Sequence, residues 1–291
     1  MDPDEELQAL VGQITRLASK ASPAVLEVAA AQLSGLPFAP HVPVFLHKVG
    51  YAGVDSLRDR EMLSWGSMGV TAADCSVIAH LLTSGALSQL KRLFLFQNPL
   101  GDVGLASLMD GLARSKVQLA TLALSSCEIT DDGLGALTTV MASGAMTELR
   151  SLRLSGNQVG DAGLAAIAEA SAMGSMRNLR EVLLNGNQIG DAGVVALAGV
   201  ITQGGLSSLK ILGLMENQVG DVGMSALAGA LMSGGMPVLE EAWLWSNRIG
   251  DEGMRALAST VASGTLARCK LIGVPVRHSN PQTETLAQQL L

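Results

Sequence analysis

Aromatic side chains are scarce in this sequence: four Phe, three Trp and one Tyr among 291 residues. A core of ordinary density must therefore be filled by aliphatic residues, and hydrophobic residues do reach 48%. Charge is sparse too, at 15%, with a net of -7 at neutral pH. No dense run of Lys or Arg occurs. That argues against nonspecific nucleic-acid binding, which needs basic side chains to displace phosphate counterions. No segment holds the ~18 uninterrupted apolar residues of a membrane-spanning helix, so no membrane association is expected. Only three cysteines are present, Cys75, Cys127 and Cys269, far apart and odd in number. They do not make a disulfide framework and they suit a reducing compartment. There is no Asn-x-Ser/Thr sequon, and the acidic start Met1-Asp2-Pro3-Asp4-Glu5-Glu6 lacks the basic region and apolar stretch of a secretory leader. A cytoplasmic setting is the resulting expectation.

Motifs that carry chemistry are missing as well. The four histidines, His41, His47, His80 and His278, show no ligand spacing. No GxxxxGK[ST], no GxGxxG behind a strand and no GxSxG turn is found. The expectation is no catalytic residue, no metal and no cofactor: a chain that is not an enzyme.

What is abundant is repetition. The segment from Leu149 to Gly163 returns at Leu179, Leu209 and Leu239 with a period of 30. Two earlier copies begin at Leu90 and Leu119, 29 apart, the second with Cys127 where the others have Asn. A degenerate copy precedes them, with Leu63 and Trp65 at strand positions and Met68 in place of Asn. Another follows around Cys269, Ile272 and Val274. About eight units result. Leu-x-Leu alternates with period two and predicts a short strand with one buried face. The following Asn sits in a turn, where its amide can satisfy backbone groups of neighbouring coils. Gly-Asp-x-Gly then opens a run of helical spacing, such as Leu164 to Ala170, and the Asp is expected to cap the helix it opens. One carboxylate per repeat (Asp102, Asp131, Asp161, Asp191, Asp221, Asp251) fits capping, whereas calcium needs several oxygens converging on one ion. Gly85, Gly144, Gly174, Gly204, Gly234 and Gly264 are placed to end the helices, each with an apolar residue two or so positions on.

A strand and a helix in 30 residues cannot bury their apolar faces alone, but stacked neighbours can. Strands stack about 4.8 Å apart and helices about 8–10 Å apart. The mismatch forces an arc, strands inside and helices outside. The predicted fold is thus an α/β solenoid with parallel strands on the concave face. The pattern LxxLxLxxNxIGDxGxxALA resembles the leucine-rich repeats of the ribonuclease-inhibitor subtype, found also in the arrays of NOD-like receptors and Ran GTPase-activating proteins. The resemblance covers about residues 60–275. It implies a binding protein, a scaffold or adaptor holding a partner protein. Ran-type GTPase activation is the alternative from another class. The chain ends in Gln288-Gln289-Leu290-Leu291, where those activators usually carry a long acidic tail.

Residues 1–58 do not repeat and read as a helical N-terminal cap, with 59–291 as the array and its C-terminal cap. Leu7, Leu10, Val11, Ile14 and Leu17 mark one amphipathic helix; Val25, Leu26 and Val28 mark a second; Phe45 to Leu57 suggests short helices. Leu36-Pro37 with Phe45-Leu46 faintly resembles an F-box, which would make the chain a ubiquitin-ligase substrate adaptor. Pro281 to Leu291 reads as a closing helix.

The residue between the leucines of each strand, and the one after the second, should face the concave side. These are Phe94 and Phe96, Ala123 and Ser125, Arg153 and Ser155, Leu183 and Asn185, Gly213 and Met215, Trp243 and Trp245. Four of the eight aromatics fall on this row, and clustered exposed aromatics mark interaction surfaces. The candidate partner-binding residues are therefore Phe94, Phe96, Arg153, Leu183, Asn185, Met215, Trp243 and Trp245. Self-association, or cover by another segment, is the competing use of the same rings. Lys91, Arg92, Arg150, Arg153, Arg180 and Lys210 followed by Glu240 and Glu241 suggest a basic strip ending in an acidic patch. Leu154→Asp should place an unpaired carboxylate in the core and cost about 4 kcal/mol or more. Loss of the cooperative thermal transition by circular dichroism checks this.

Overall fold

The computed structural model describes residues 41–266 apart from 175, together with 269–272, of which the last three by backbone alone. The expected helices at 7–17 and around 25–28, and the closing helix from Pro281, lie outside the described residues. Helix α1 (His41–Lys48) and a 3-10 turn (Val54–Leu57) come first. Then strand and helix alternate: β1 (Met62–Ser64), α2 (Ala72–Thr83), β2 (Arg92–Phe94), α3 (Gly101–Arg114), β3 (Thr121–Ala123), α4 (Asp131–Ala142), β4 (Ser151–Arg153) and α5 (Asp161–Ala172). They continue with β5 (Glu181–Leu183), α6 (Asp191–Thr202), β6 (Ile211–Gly213), α7 (Asp221–Met232), β7 (Glu241–Trp243), α8 (Asp251–Ala262) and β8 (Lys270–Ile272).

The eight strands form one parallel sheet in sequence order. Register keeps the repeat phase: Leu122 stands opposite Leu152, Leu152 opposite Val182, and Val182 opposite Leu212. These inward residues are buried. The helices stack on their sequence neighbours behind the sheet. This is the predicted α/β leucine-rich-repeat solenoid, and the different spacings of strands and helices bend it toward the sheet.

Each turn after a strand is satisfied by the next repeat. Asn187 Nδ2 donates to the carbonyls of Leu154 and Leu184, both at 3.0 Å, while its Oδ1 accepts from the Val159 amide at 3.0 Å. Asn98, Asn157, Asn217 and Asn247 repeat the pattern and are all buried. Cys127 keeps only the donor half, its Sγ donating to the Leu95 carbonyl at 3.1 Å.

The aspartates depart from the expectation. Asp102, Asp131, Asp161, Asp191 and Asp221 open their own helices but cap the following ones. Asp161 Oδ1 accepts from the amides of Gly190 at 2.7 Å and Gly193 at 2.9 Å, the start of α6. Asp191 serves Gly220 and Gly223 in the same way, and Asp221 serves Gly250 and Gly253. Asp102 reaches Thr130, through its amide at 2.8 Å and its hydroxyl at 2.6 Å. The capping chemistry is as predicted, but it acts between repeats. This also explains the second glycine of Gly-Asp-x-Gly. A Cβ on Gly193 would stand 2.8 Å from Asp161 Oδ1 and 3.0 Å from its Cα.

The helix ends follow the sequence closely. Gly174 (φ 75°) and Gly204 (φ 85°) adopt the left-handed conformation that stops a helix, and Met176 and Leu206 beyond them are buried. At the other end of the molecule, α1 closes the first repeat. Phe45 and Leu46 are buried, and the Phe45 and Tyr51 rings meet Trp65 edge-on at 5.1 Å and 6.2 Å. Pro43 lies in the first turn of α1, where a missing N–H interrupts no helical bond. Lys48 ties α1 to α2 through Asp74 at 2.6 Å. Phe45 and Leu46 are thus committed to the solenoid and are not free for an F-box-like contact.

Two glycine substitutions should move stability in opposite directions. Gly199 lies exposed inside α6, with nothing within 4 Å of a Cβ built there. Gly199→Ala is expected to add about 0.5–1 kcal/mol through helix propensity. Gly193→Ala should lose about 1–2 kcal/mol by displacing the Asp161 cap. Urea denaturation of both variants beside the wild type reads the signs.

Candidate functional site

Strand alternation presents three side chains per strand on the concave face, one more than the sequence reading took. On β2 they are Arg92, Phe94 and Phe96, flanking buried Leu93 and Leu95. The extra row runs through Met62, Arg92, Thr121, Ser151, Glu181, Ile211 and Glu241. Its signal was available: each of these residues from Arg92 on stands two before a position already assigned to the face.

The expected shoulders are present. Phe94 and Phe96 are half-buried, and the Phe96 ring lies over Gly66, where a Cβ would collide with it. Around them lies a depression of about 550 Å³ lined by Met62, Phe94, Phe96, Gln97, Ala123 and Arg153, among others. At the other end Trp243 is half-buried and Trp245 is 38% exposed. Trp243 Nε1 donates to Glu241 at 3.0 Å, which fixes the indole. Five strand steps separate the Phe and Trp shoulders, about 24 Å. Between them Leu183 and Met215 are partly exposed, while Ala123 and Gly213 are buried and form a low floor.

Two expectations are corrected. Asn185 does not face outward as a contact residue: it is buried at 6%, its Oδ1 accepts from the Met215 amide at 3.0 Å, and it packs where Gly213 has no side chain. It braces the sheet. The basic strip is also largely neutralised from within. Lys91 pairs with Glu61 at 2.6 Å, Arg150 with Glu148 at 3.7 Å and Lys210 with Glu240 at 2.5 Å. Arg153 grips Glu181 with two nitrogens, at 2.8 Å and 3.3 Å. Lys91, by hydrogen bond and charge, holds the exposed Glu61 carboxyl below its ordinary range.

The nucleophilic groups are poorly placed for chemistry. Burial pushes the Cys75 thiol far up, and it pushes Cys127 and Cys269 up to about 11. At neutral pH all three are protonated, and a thiol is not the nucleophile that a thiolate is. Among the described residues no cluster of His, Cys, Asp and Glu could hold a metal ion. None of the described helices is long and apolar enough to cross a membrane.

Comparison with known proteins agrees with the repeat geometry. The family described as Leucine Rich repeat matches residues 119–137, 145–168, 175–198, 205–228 and 244–258. These segments carry leucine-rich repeats, and they are similar to those of ribonuclease-inhibitor-like proteins. It is similar to ribonuclease inhibitor from Mus musculus, 36% identical over 96 residues, which cover 33% of this chain and 21% of that protein. It is also similar to NACHT, LRR and PYD domains-containing protein 2 from Homo sapiens, 35% identical over 81 residues, 28% of this chain and 7% of that one. The chain therefore spans about a fifth or less of these two relatives. Among solved structures, an internalin (inlF) from Listeria monocytogenes overlays 70% of this chain and 51% of its own, with 24% identity and a TM-score of 0.40.

The buried thiols yield a prediction. Cys75 and Cys127 should resist maleimide in the native chain around pH 8 and react once it is unfolded. Mass spectrometry of the labelled protein checks this. Because the folded thiols ionise later than unfolded ones, their contribution to stability is full below the ordinary thiol value of 9.0. It fades as pH rises towards the folded values of about 11.

Proposed function

We propose that this chain is a protein-binding scaffold that holds its partner on the concave sheet face. The observation that carries the reading is the placement of the aromatics. In a chain with eight such residues, four stand on this one face, in two groups at its ends. Aromatic anchors at the centre of desolvated contacts supply most of the energy in protein interfaces. The arrangement suits a partner that spans both shoulders across a low floor. Ribonuclease inhibitor, whose repeats are similar, is by its name a binding protein, which supports the same use here.

On this reading the chain has no catalytic role, and the protonated thiols support that. Phe94, Phe96, Arg153, Leu183, Met215, Trp243 and Trp245 form the binding row, and Asn185 supports it from beneath. Residues 1–58 act as the cap, and the small, odd number of cysteines favours a cytoplasmic setting. Ran-type GTPase activation and ubiquitin-ligase adaptation gain no observation that favours them.

Affinity capture from a native extract tests the proposal. Phe94→Ala with Phe96→Ala, or Trp243→Ala with Trp245→Ala, should each lose the partner by about tenfold or more while keeping the thermal transition. Equal capture by the wild type and both folded variants rejects the concave site.

A further inference from the structure

Among the described side chains, the charges that the concave face presents are sorted by sign along the array. Arg92 on β2 and Arg153 on β4 occupy the N-terminal half. Glu181 on β5, Glu216 at the rim after β6 and Glu241 on β7 occupy the other half. Arg153 and Glu181 neutralise each other at the border. What is left over differs between the ends. Arg92 is exposed and has no carboxylate at ion-pair distance among the described residues; Glu61 feels its charge only as a minor influence beside its own partner Lys91. Glu216 and Glu241 likewise have no cation at that distance among the described side chains, and Glu241 accepts the Trp243 indole N–H. Lys270 stands opposite Glu241 in register, and on this end the two carboxylates, Glu216 and Glu241, still outnumber that one cation.

The uncompensated arginine sits beside the depression at the Phe shoulder. Arg92 stands opposite Met62 in register and two residues before Phe94, on the same side of the sheet. The depression, about 550 Å³, is lined by Met62, Phe94 and Phe96 on one flank and by Arg153 on another. Its apolar flank of Met62, Phe94 and Phe96 can hold a large side chain, with the polar Ser64, Gln97 and Ser125 around it. A guanidinium at its edge favours a carboxylate close to that side chain. We infer that the Phe shoulder takes an acidic-apolar segment of a partner protein: a Leu, Met or aromatic residue seated in the depression, with a neighbouring Asp or Glu at Arg92. The carboxylates beside the Trp pair repel the same segment, so the sign sorting fixes where it binds. This rests on the concave binding reading and adds the partner's chemistry to it.

Selection of a random dodecapeptide library on the immobilised full-length chain tests the inference, followed by anisotropy titrations with a synthetic copy of the leading peptide. Enriched peptides should pair a large apolar residue with Asp or Glu. Their affinity should fall about tenfold in Arg92→Glu and in Phe94→Ala, and should weaken with added salt. Trp243→Ala/Trp245→Ala should change it less than about twofold. Arg92 is exposed, so its variant is expected to keep the wild-type melting curve, which is recorded alongside. Enrichment of Lys- or Arg-rich peptides, or no enrichment at all, overturns the inference. So does loss in the Trp variant with retention in Arg92→Glu. A dimer of the wild-type chain that Arg92→Glu disperses in sedimentation would put a second copy in place of the partner, and also overturns it. The extract capture separates the two claims. A partner lost from the aromatic variants but kept by Arg92→Glu removes the acidic chemistry and leaves the scaffold reading; a partner kept by both aromatic variants removes both.

Discussion

No repeat of this protein can satisfy its own turn. The carbonyls and amides left open after most of the short strands are closed by an asparagine from the following coil, and the starts of helices α4 to α8 are closed by an aspartate from the preceding repeat. Buried backbone groups without partners are costly, so a coil is stable only between neighbours. The two ladders run in opposite senses. Asn187 reaches back to the coil of Leu154 and Val159, and Asp161 reaches forward to Gly190 and Gly193. Every interior coil is held from both sides, and the array behaves as a one-dimensional chain of nearest-neighbour contacts.

The same constraint explains the composition. Ladders of this kind require each coil to repeat its neighbour's path, and close stacking rewards small side chains. Gly193 leaves the space that the Asp161 carboxylate fills, and Gly213 leaves the space that Asn185 fills. The core is then aliphatic, with Trp65 as its one buried indole, at the end where the repeat gives way to α1. Large side chains are affordable only where nothing stacks on them, on the concave face, and there the remaining Trp residues and two of the Phe residues are found. The face that carries individuality is the face that the ladder leaves free.

Charge follows a similar economy. Three of the six basic residues along the strand edge are paired with carboxylates about one repeat away, as Lys91 with Glu61 and Lys210 with Glu240, and Arg150 pairs with Glu148 beside it. Exposed pairs of this sort contribute little stability. Their effect is to mute the strip and leave the sign of the concave face to a few residues, Arg92 at one end and Glu216 and Glu241 at the other.

The repeat, its strand and helix, the helix stops and the row on which Phe94, Phe96, Trp243 and Trp245 stand were all legible in the sequence. Each rests on a local period or on a residue whose conformation is its own, such as Gly174 at positive φ. The partner of each Asp was not legible. An aspartate before a helix predicts a cap, but which helix it caps depends on how closely the coils stack, and that is a tertiary distance. Asn185 was misread for the same reason. Its strand position points outward, yet the missing side chain at Gly213, one strand away, lets it fold down into the sheet. Ion pairs between residues about 30 apart, like Arg153 with Glu181, needed the register before they could be seen. Sequence fixed what each coil is, because that depends on neighbours along the chain; the tertiary structure alone decided what each coil does for the next and which charges remain for a partner.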